Sequence, residues 1–257
     1  MNVDQQRSLI VEQFTKQAIP FAQLPNHNNE DTNQLVINTI GIGPQDTVLD
    51  LACGPGLITS AVAGVAKRVT GIDITPAMIE QAQQRQQSLG LTNMSFQVGD
   101  VQPVPAADAT FSSVMTRYSF HHFLDPQGVL QEMVRVCQPG GQVGVIDVFM
   151  SSPEQAELYD QMEKLRDPSH VRALLLAELT GLFWDAGLKN LRTAFYKVKV
   201  ELEELLRATH TQPDAAAEVR AILKQDLGQD RLGVGAELKH GAIYFGFPVV
   251  VIAGQKP

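Results

Sequence analysis

The chain of 257 residues has only two cysteines, Cys53 and Cys137. Two isolated cysteines do not make the disulfide framework that holds small secreted domains together, and they fit a reducing compartment. The first residues are polar and lack the apolar segment of a signal peptide, and the longest apolar runs are far shorter than a membrane span. We therefore expect a cytoplasmic protein without a transmembrane segment.

Clusters of basic residues are missing as well. The formal net charge is -8 and the sequence pI is about 5.2, which argues against nucleic acid as a substrate. The sequence also lacks internal repeats and low-complexity segments. Hydrophobic residues make up 44% of the chain, enough for the buried core of one large α/β domain or of a core with a cap.

The most informative segment runs from Val48 to Gly56 and reads VLDLACGPG. Its apolar residues predict a strand covered on both faces, and helical spacing resumes directly after the glycines. Gly54 and Gly56 allow a ligand to approach the backbone closely. Asp50 lies at the carboxyl end of the strand, where a carboxylate suits a cationic group better than a phosphate.

A dinucleotide-binding turn would read Gly-x-Gly-x-x-Gly. Here the run from Gly54 reads GPGLIT, so Thr59 stands where the third glycine would be. The missing glycine and the acidic lead-in disfavour a nicotinamide dehydrogenase. The alternative is that this segment is an ordinary strand-turn-helix corner that binds no ligand.

A second acidic residue follows the next predicted strand. Asp73 ends the strand at 69–74 and lies 17 residues after Gly56, about one crossover helix later. A carboxylate at this place in a βαβ unit can accept both ribose hydroxyls, although a turn acid or helix cap is the simpler alternative. Thr75 and Pro76 predict the N-cap and first residue of the helix behind it.

A third predicted strand, at 94–99, ends in Gly99 and Asp100, and a fourth, at 111–116, ends in Thr116. Together with the first two landmarks, these segments resemble the motifs of the class I S-adenosylmethionine-dependent methyltransferases. Ala52 and Cys53 stand where many members have glycine and then cysteine or threonine, and Ser112 replaces a frequent aspartate.

The resemblance implies S-adenosylmethionine as cofactor and S-adenosylhomocysteine as product. It places Asp50 near the amino-acid end of the cofactor, Asp73 on the ribose, Ile74 and Met78 beside the adenine, and Asp100 at the adenine amino group. The predicted cofactor-binding residues are Asp50, Ala52, Cys53, Gly54, Gly56, Asp73, Ile74, Met78, Gly99, Asp100, Val101 and Thr116.

The segment after the fourth strand, TRYSFHHF, is the most unusual polar cluster of the chain. Candidate catalytic residues are Arg117, Tyr118, His121 and His122. Imidazole can take a proton near neutral pH, Arg117 can hold a carboxylate or phenolate or pack beside the cofactor, and Tyr118 can donate a hydrogen bond. Adjacent histidines point to different sides, so at most one should face substrate, and His122 is the stronger candidate.

Each of these candidates also has a structural interpretation: backbone hydrogen bonding for the histidines and an ion pair for Arg117. Asp147, at the end of the fifth strand, is either a pocket acid or a cap. Phe14 and Phe21 are candidates for a lid over the pocket, with core packing as the alternative. No set of ligands with useful spacing is visible, so we expect no metal.

The pattern predicts a Rossmann-like α/β fold: a seven-stranded, mostly parallel sheet with helices on both faces and an antiparallel last strand. Residues 1–40 would form an N-terminal helical lid and 41–200 the cofactor-binding core. Residues 201–240 would form a helical cap insertion and 241–257 the final strand. We expect strands near 142–148, 191–200 and 243–253, and a helix at 173–186.

The run EMVRVCQPGG at 132–141 is typical of the ubiquinone/menaquinone-biosynthesis-type (methyltransferase type 11) subgroup. Its members methylate carbon, oxygen, nitrogen or sulfur, so the resemblance implies direct methyl transfer to a small-molecule acceptor of open identity. The alternatives are a cyclase or lyase that uses the cofactor as a positive charge, and a non-catalytic binding protein. The sequence does not determine the oligomeric state, and a homodimer is one possibility.

Overall fold

The computed structural model describes residues 1–22 and 29–257 of the chain. This part contains nine α-helices, and a short 3-10 helix, Phe120–His122, follows the fourth strand. The helices are α1 Val3–Ala22, α2 Glu30–Ile40, α3 Leu57–Ala63, α4 Pro76–Leu89, α5 Pro126–Val136, α6 Pro153–Arg166, α7 Leu176–Asp185, α8 Leu202–Ala208 and α9 Pro213–Asp226. The side chain of Phe21, a lid candidate, lies outside the described part.

The same part of the chain contains nine strands. They are β1 Thr47–Leu51, β2 Arg68–Asp73, β3 Met94–Val98, β4 Phe111–Arg117, β5 Cys137–Met150, β6 Leu174–Leu175, β7 Lys189–Glu201, β8 Glu237–Lys239 and β9 Ala242–Gln255. Seven of them form the continuous order β3-β2-β1-β4-β5-β9-β7, while β6 pairs with β5 and β8 pairs with β9.

The predicted sheet is confirmed. Strands β1 to β5 run parallel, and β9 lies antiparallel between β5 and β7. Since parallel strands share a direction, their carboxyl ends meet at one edge, where open α/β sheets bind ligands. Every acidic residue singled out at a strand end therefore comes to the same edge.

Alternation along β1 explains how the sheet divides the core. Val48 belongs to the hydrophobic cluster on one face, whereas Leu49 and Leu51 belong to the cluster on the other. Successive strand side chains point to opposite faces, so a continuous apolar run covers both. Asp50 interrupts this run as a completely buried acid, and such a group needs a functional or structural reason.

The helix signals around β2 work as predicted. Thr75 is the N-cap of α4, Pro76 is its first residue, and Gly90 ends it in the left-handed conformation. Thr75 makes no side-chain capping hydrogen bond; instead its backbone N–H donates to Asp73 at 2.8 Å. The acid at the strand end thus also fixes the entry to the helix.

One predicted helix is too long. The helix expected at 173–186 begins only at Leu176, because Leu174 and Leu175 pair with Phe149 and Met150 of β5 as a short parallel strand. Apolar residues before a helix cannot be told from its first turn by spacing alone.

The segment expected to form a cap does contain two helices, α8 and α9. Helix α8 lies against β7 and β9, and α9 lies against α6. Its role as a cap stays a prediction, as does the division of the chain into four parts. Within the described residues, no helix has the length and apolar character to cross a membrane.

Candidate functional site

The glycine turn after β1 opens towards a cavity at the carboxyl edge of the sheet. Gly54 has φ +55, and a Cβ added there would meet nothing within 4 Å. Gly56 has φ +76 and packs against α4, since a Cβ added at this position would lie 3.2 Å from the Cβ of Ala82. Both positions need glycine for their backbone angles, but only Gly54 lines the cavity.

Asp50, near the end of β1, lines this cavity. Its Oδ2 accepts a hydrogen bond of 2.6 Å from the hydroxyl of Thr59, whereas Oδ1 is buried without a partner. Burial raises the pKa of Asp50 to about 7, against the Thr59 hydrogen bond and the charge of Arg117, which lower it. A buried acceptor left unsatisfied is costly, and a cationic group in the cavity would satisfy it.

Asp73 lies beside the turn at the end of β2. Its Oδ2 accepts from the backbone N–H of Gly54 at 2.9 Å, and its Oδ1 accepts from that of Thr75. Each carboxylate oxygen can accept a second hydrogen bond, so the side chain can hold the turn and still receive two ligand hydroxyls. Burial raises the pKa of Asp73, although these hydrogen bonds act in the opposite direction.

Helix α1 also contributes to the lining of the cavity. Arg7 Nε lies 2.5 Å from Asp100 Oδ2, and Arg7 Nη2 donates to the backbone oxygen of Gln102 at 2.8 Å. Gln6 Nε2 donates to the backbone oxygens of His122 and Ser169. Asp100, which the resemblance assigns to the adenine amino group, is therefore engaged by α1.

The cavity and the open space at its mouth together amount to about 1190 Å³. Most of the residues predicted to bind the cofactor or act in catalysis line it together. These are Asp50, Ala52, Cys53, Gly54, Asp73, Ile74, Met78, Asp100, Val101, Arg117, Tyr118 and His122. Its walls thus combine acids at two strand ends with an apolar slot, as an elongated ligand with polar and apolar parts requires.

Four predicted site residues lie outside this lining: Gly56, Gly99, Thr116 and His121. Gly99 packs closely against its neighbours, since a Cβ added at this position would lie 3.1 Å from the Pro105 side chain. The hydroxyl of Thr116 donates to the backbone oxygen of Leu51 at 2.7 Å and pairs with that of Ser119. Gly99 and Thr116 thus support the strand ends that carry the lining.

His121 lines a second cavity, of about 640 Å³, which shares Phe14, Tyr118 and His122 with the first. Its Nδ1 lies 2.6 Å from Asp147 Oδ1. Burial by itself would lower the pKa of His121, but the charge and hydrogen bond of Asp147 outweigh it, so the pKa is raised. Burial raises the pKa of Asp147, and His121 more than reverses this, so Asp147 is a carboxylate.

His122 stands between the two cavities. Its Nδ1 donates to the backbone oxygen of Ser169 at 3.0 Å, and the edge of the Phe14 ring packs against it with centroids 5.2 Å apart. Burial first, and then the charge of His121, lower the pKa of His122 to about 3. The imidazole is therefore neutral.

Arg117 and Tyr118 are the other two catalytic candidates. Arg117 Nη1 donates to Asn33 Oδ1 at 3.2 Å, and its guanidinium carbon lies 5.1 Å from the centre of the Tyr118 ring. The Tyr118 hydroxyl lies 2.7 Å from that of Tyr196. Tyr118 has φ +58, which is uncommon for a bulky residue and marks a constrained position.

Several lining residues were not predicted from the sequence. Helix α6 and the residues behind it supply Tyr159, Glu163, Arg166 and Asp167 to the second cavity. The start of α6 has a signal that the sequence shows, because Ser152 caps it and Pro153 is its first residue. Arg7 on α1 has no comparable signal, since its partner Asp100 is 93 residues away.

Comparison with known proteins identifies the family. The model of the methyltransferase domain family matches residues 42–203, so the chain belongs to this family. It is an S-adenosylmethionine-dependent methyltransferase, and the resemblance drawn from the sequence motifs is confirmed.

Three relatives illustrate the similarity. The uncharacterized methyltransferase YcgJ of Bacillus subtilis is 26% identical over 86% of this chain and 89% of its own. Its crystal structure covers 89% of this chain and 99% of its own, with a TM-score of 0.81 and 25% identity. Escherichia coli YafE is 31% identical over 63% and 80% of the two chains. The malonyl-[acyl-carrier protein] O-methyltransferase of Serratia marcescens is 28% identical over 77% and 71%.

Proposed function

We propose that this enzyme binds S-adenosylmethionine in the first cavity and transfers its methyl group to a small-molecule acceptor held in the second. The observation that carries the proposal is the unpartnered, buried Oδ1 of Asp50. It lies at the end of β1 beside an open glycine turn, where it would receive the ammonium group of the cofactor.

The remaining cofactor contacts follow from the lining. Asp73 would accept the ribose hydroxyls, and Ile74 and Met78 would flank the adenine, near Val101. Asp100 would meet the adenine amino group beside Arg7. When bound, the cofactor supplies an electrophilic methyl group on a sulfonium, so the transfer is a direct displacement that depends on alignment and on excluding water.

Tyr118 and His122 would shape the passage through which the methyl group meets its acceptor, because both residues line both cavities. Arg117 would reinforce this wall through its contact with the Tyr118 ring. His121 lies on the acceptor side only. Cytoplasmic location, a homodimer, and the absence of a metal and of nucleic acid as a substrate stay predictions from the sequence.

Calorimetric titration with S-adenosylmethionine, S-adenosylhomocysteine and NAD tests the proposal. We expect micromolar binding of the first two and none of NAD. Binding of NAD alone would reject the assignment of the cavity. The cyclase or lyase alternative is separated by product analysis, since only methyl transfer releases S-adenosylhomocysteine.

A further inference from the structure

The lining of the second cavity divides into an apolar and a polar part. Its apolar part combines aliphatic side chains with aromatic rings: Phe14, Tyr118, Val148, Tyr159, Val198, Leu205, Phe247 and Val249. Its polar part comes from Gln17 of α1, the 3-10 helix, the end of β5 and the end of α6. A ligand that fills this space must therefore be mainly apolar and carry a polar group.

The charges in the polar part disfavour an anionic acceptor. Asp147, Glu163 and Asp167 are the acidic residues of this lining, and the one arginine or lysine among its described residues is Arg166. Arg166 is held by Glu163 through Nε and Nη2. Since that cation is already paired, a carboxylate or phosphate group would enter an acidic environment.

His121 presents a proton acceptor to this space. His121 Nδ1–H donates a hydrogen bond to the Asp147 carboxylate, so the lone pair of the uncharged form of the ring lies on Nε2. Among the described residues, no hydrogen bond reaches Nε2, whereas the ring lines the cavity. A base oriented by a carboxylate, with its second nitrogen open, is the arrangement that activates a hydroxyl nucleophile.

From this geometry we propose that the second cavity binds an uncharged, mainly apolar acceptor that presents a hydroxyl group to His121 Nε2. The inference rests on the proposed function and adds the chemical class of the acceptor. A neutral amine needs no base before it attacks, whereas a hydroxyl arrives protonated. The oriented His121 base therefore favours an oxygen nucleophile.

The atoms and electrons of the transfer balance. The hydroxyl proton passes to His121 Nε2 while an oxygen–carbon bond forms to the methyl group. The carbon–sulfur bond breaks, and its electron pair stays on sulfur, which becomes neutral. Asp147 stabilises the resulting imidazolium as a positioning residue, and the proton then leaves to solvent.

The proton on His121 responds to all the charged and titratable groups around it. These groups are Tyr118, His122, Asp147, Tyr159, Glu163, Arg166, Asp167 and His170. A local optical probe is therefore better than a pH profile of turnover, because it reports proton transfer at one place.

The probe is 4-nitrophenol, whose anion absorbs visible light, added to the full chain with S-adenosylhomocysteine at a series of pH values. A proton acceptor at His121 Nε2 makes the anion band appear at a lower pH for the bound probe than for the free phenol. We expect the wild-type protein to bind it and to produce the phenolate band at this lower pH. The anion 4-nitrobenzoate should bind at least about tenfold more weakly. Absence of the band, or tighter binding of 4-nitrobenzoate, would overturn the proposal.

Variants locate the effect. His121→Gln should lose the band and bind 4-nitrophenol about tenfold more weakly, while 4-nitroanisole, which has no hydroxyl proton, binds unchanged. Leu205→Trp should block both probes by filling the cavity. His240→Asn, at an exposed position in the turn before β9, is the matched control and should behave as wild type. A band that persists in His121→Gln would reject the base assignment.

Titration with S-adenosylhomocysteine shows whether each variant is folded, because neither His121 nor Leu205 lines the first cavity. It also separates the two proposals. Cofactor binding without a phenolate band contradicts the acceptor class alone. A phenolate band without cofactor binding contradicts the proposed function and leaves the second cavity as a hydroxyl-binding site. If Leu205→Trp loses cofactor binding as well, Val198→Phe provides a second way to fill the cavity.

Discussion

At the scale of the residue, Asp50 favours binding of a cationic ligand but lowers the stability of the ligand-free fold. It is a fully buried carboxylate with one satisfied oxygen, Oδ2 on Thr59, and one unsatisfied oxygen. In the ligand-free protein this arrangement costs free energy, because burial disfavours the charged form. The cofactor's ammonium group would offset that cost on binding, so part of the penalty becomes selectivity for a cation.

Replacement of Asp50 by Asn should become more favourable to the stability of the ligand-free protein as pH rises. The folded-state pKa is raised from 3.8 to about 7, so the folded protein keeps a proton that the unfolded chain releases between these values. The free energy of unfolding therefore falls as pH rises through this window. We expect the stability of Asp50→Asn relative to wild type to rise by on the order of 2 kcal/mol between pH 5 and pH 8.

Denaturant unfolding at both pH values measures this difference, and calorimetry of S-adenosylhomocysteine on the same samples measures the functional loss. We expect binding to weaken by about 2 kcal/mol, the scale of a hydrogen bond to a charged group. Glu80→Gln, which removes an exposed carboxylate on α4, serves as the control. A stability relative to wild type that does not rise between pH 5 and pH 8 would contradict the assignment.

At the scale of the element, helix α1 shows what periodicity can and cannot predict. Val3, Gln6, Arg7, Ile10 and Phe14 lie at helical spacing, and all five line the first cavity. The apolar residues Leu9, Ile10, Phe14 and Ala18 form a stripe that predicts a helix over 8–18, but a stripe does not say whether it faces a core or a ligand. The polar members of the face, Gln6 and Arg7, are the ones that anchor α1 to distant loops.

Arg7→Gln should weaken the contact of α1 with Asp100 and so let the ligand leave the first cavity more easily. The side chains of Arg7 and Asp100 are 36% and 27% exposed, and a pair this open contributes under about 1 kcal/mol. We therefore expect S-adenosylhomocysteine to dissociate about threefold faster in stopped-flow experiments at low salt. The difference should shrink at high salt, because ions screen the pair.

Lys16→Gln is the matched control, because Lys16 forms an exposed ion pair with Glu12 on the same helix and does not line the first cavity. Equal dissociation rates for Arg7→Gln and wild type at low salt would show that the pair does not hold the helix over the ligand.

At the scale of the whole molecule, the two cavities differ in how far the sequence predicts them. Asp50 and Asp73 come from neighbouring parallel strands of one βαβ unit, and the spacing of their motifs is enough to bring them together. The second cavity joins His121 to residues of α6, β7 and β9, such as Tyr159, Val198 and Val249. No local pattern encodes contacts between such distant segments, so only the assembled fold reveals this lining.

The same difference explains the histidines. From the sequence, His122 was the stronger candidate to face the substrate. The adjacent pair itself, however, does not reveal which groups each histidine contacts in the fold. In the fold, His121 meets Asp147, 26 residues further along the chain, while His122 is held by the backbone of Ser169. The role of each imidazole depends on its tertiary partner, and the partner comes from another element.

The cover formed by α1 leads to a prediction for the whole chain. If ligand binding holds α1 against Asp100 and the backbone oxygens of His122 and Ser169, its amides should open less often. We expect S-adenosylhomocysteine to slow hydrogen exchange in α1 and in the glycine turn by at least about tenfold. Helix α9 packs on α6 and lines neither cavity, so its exchange should not change. An equal slowing in α1 and α9 would mean that the ligand stabilises the fold globally, whereas slowing confined to the turn would show that α1 is no cover.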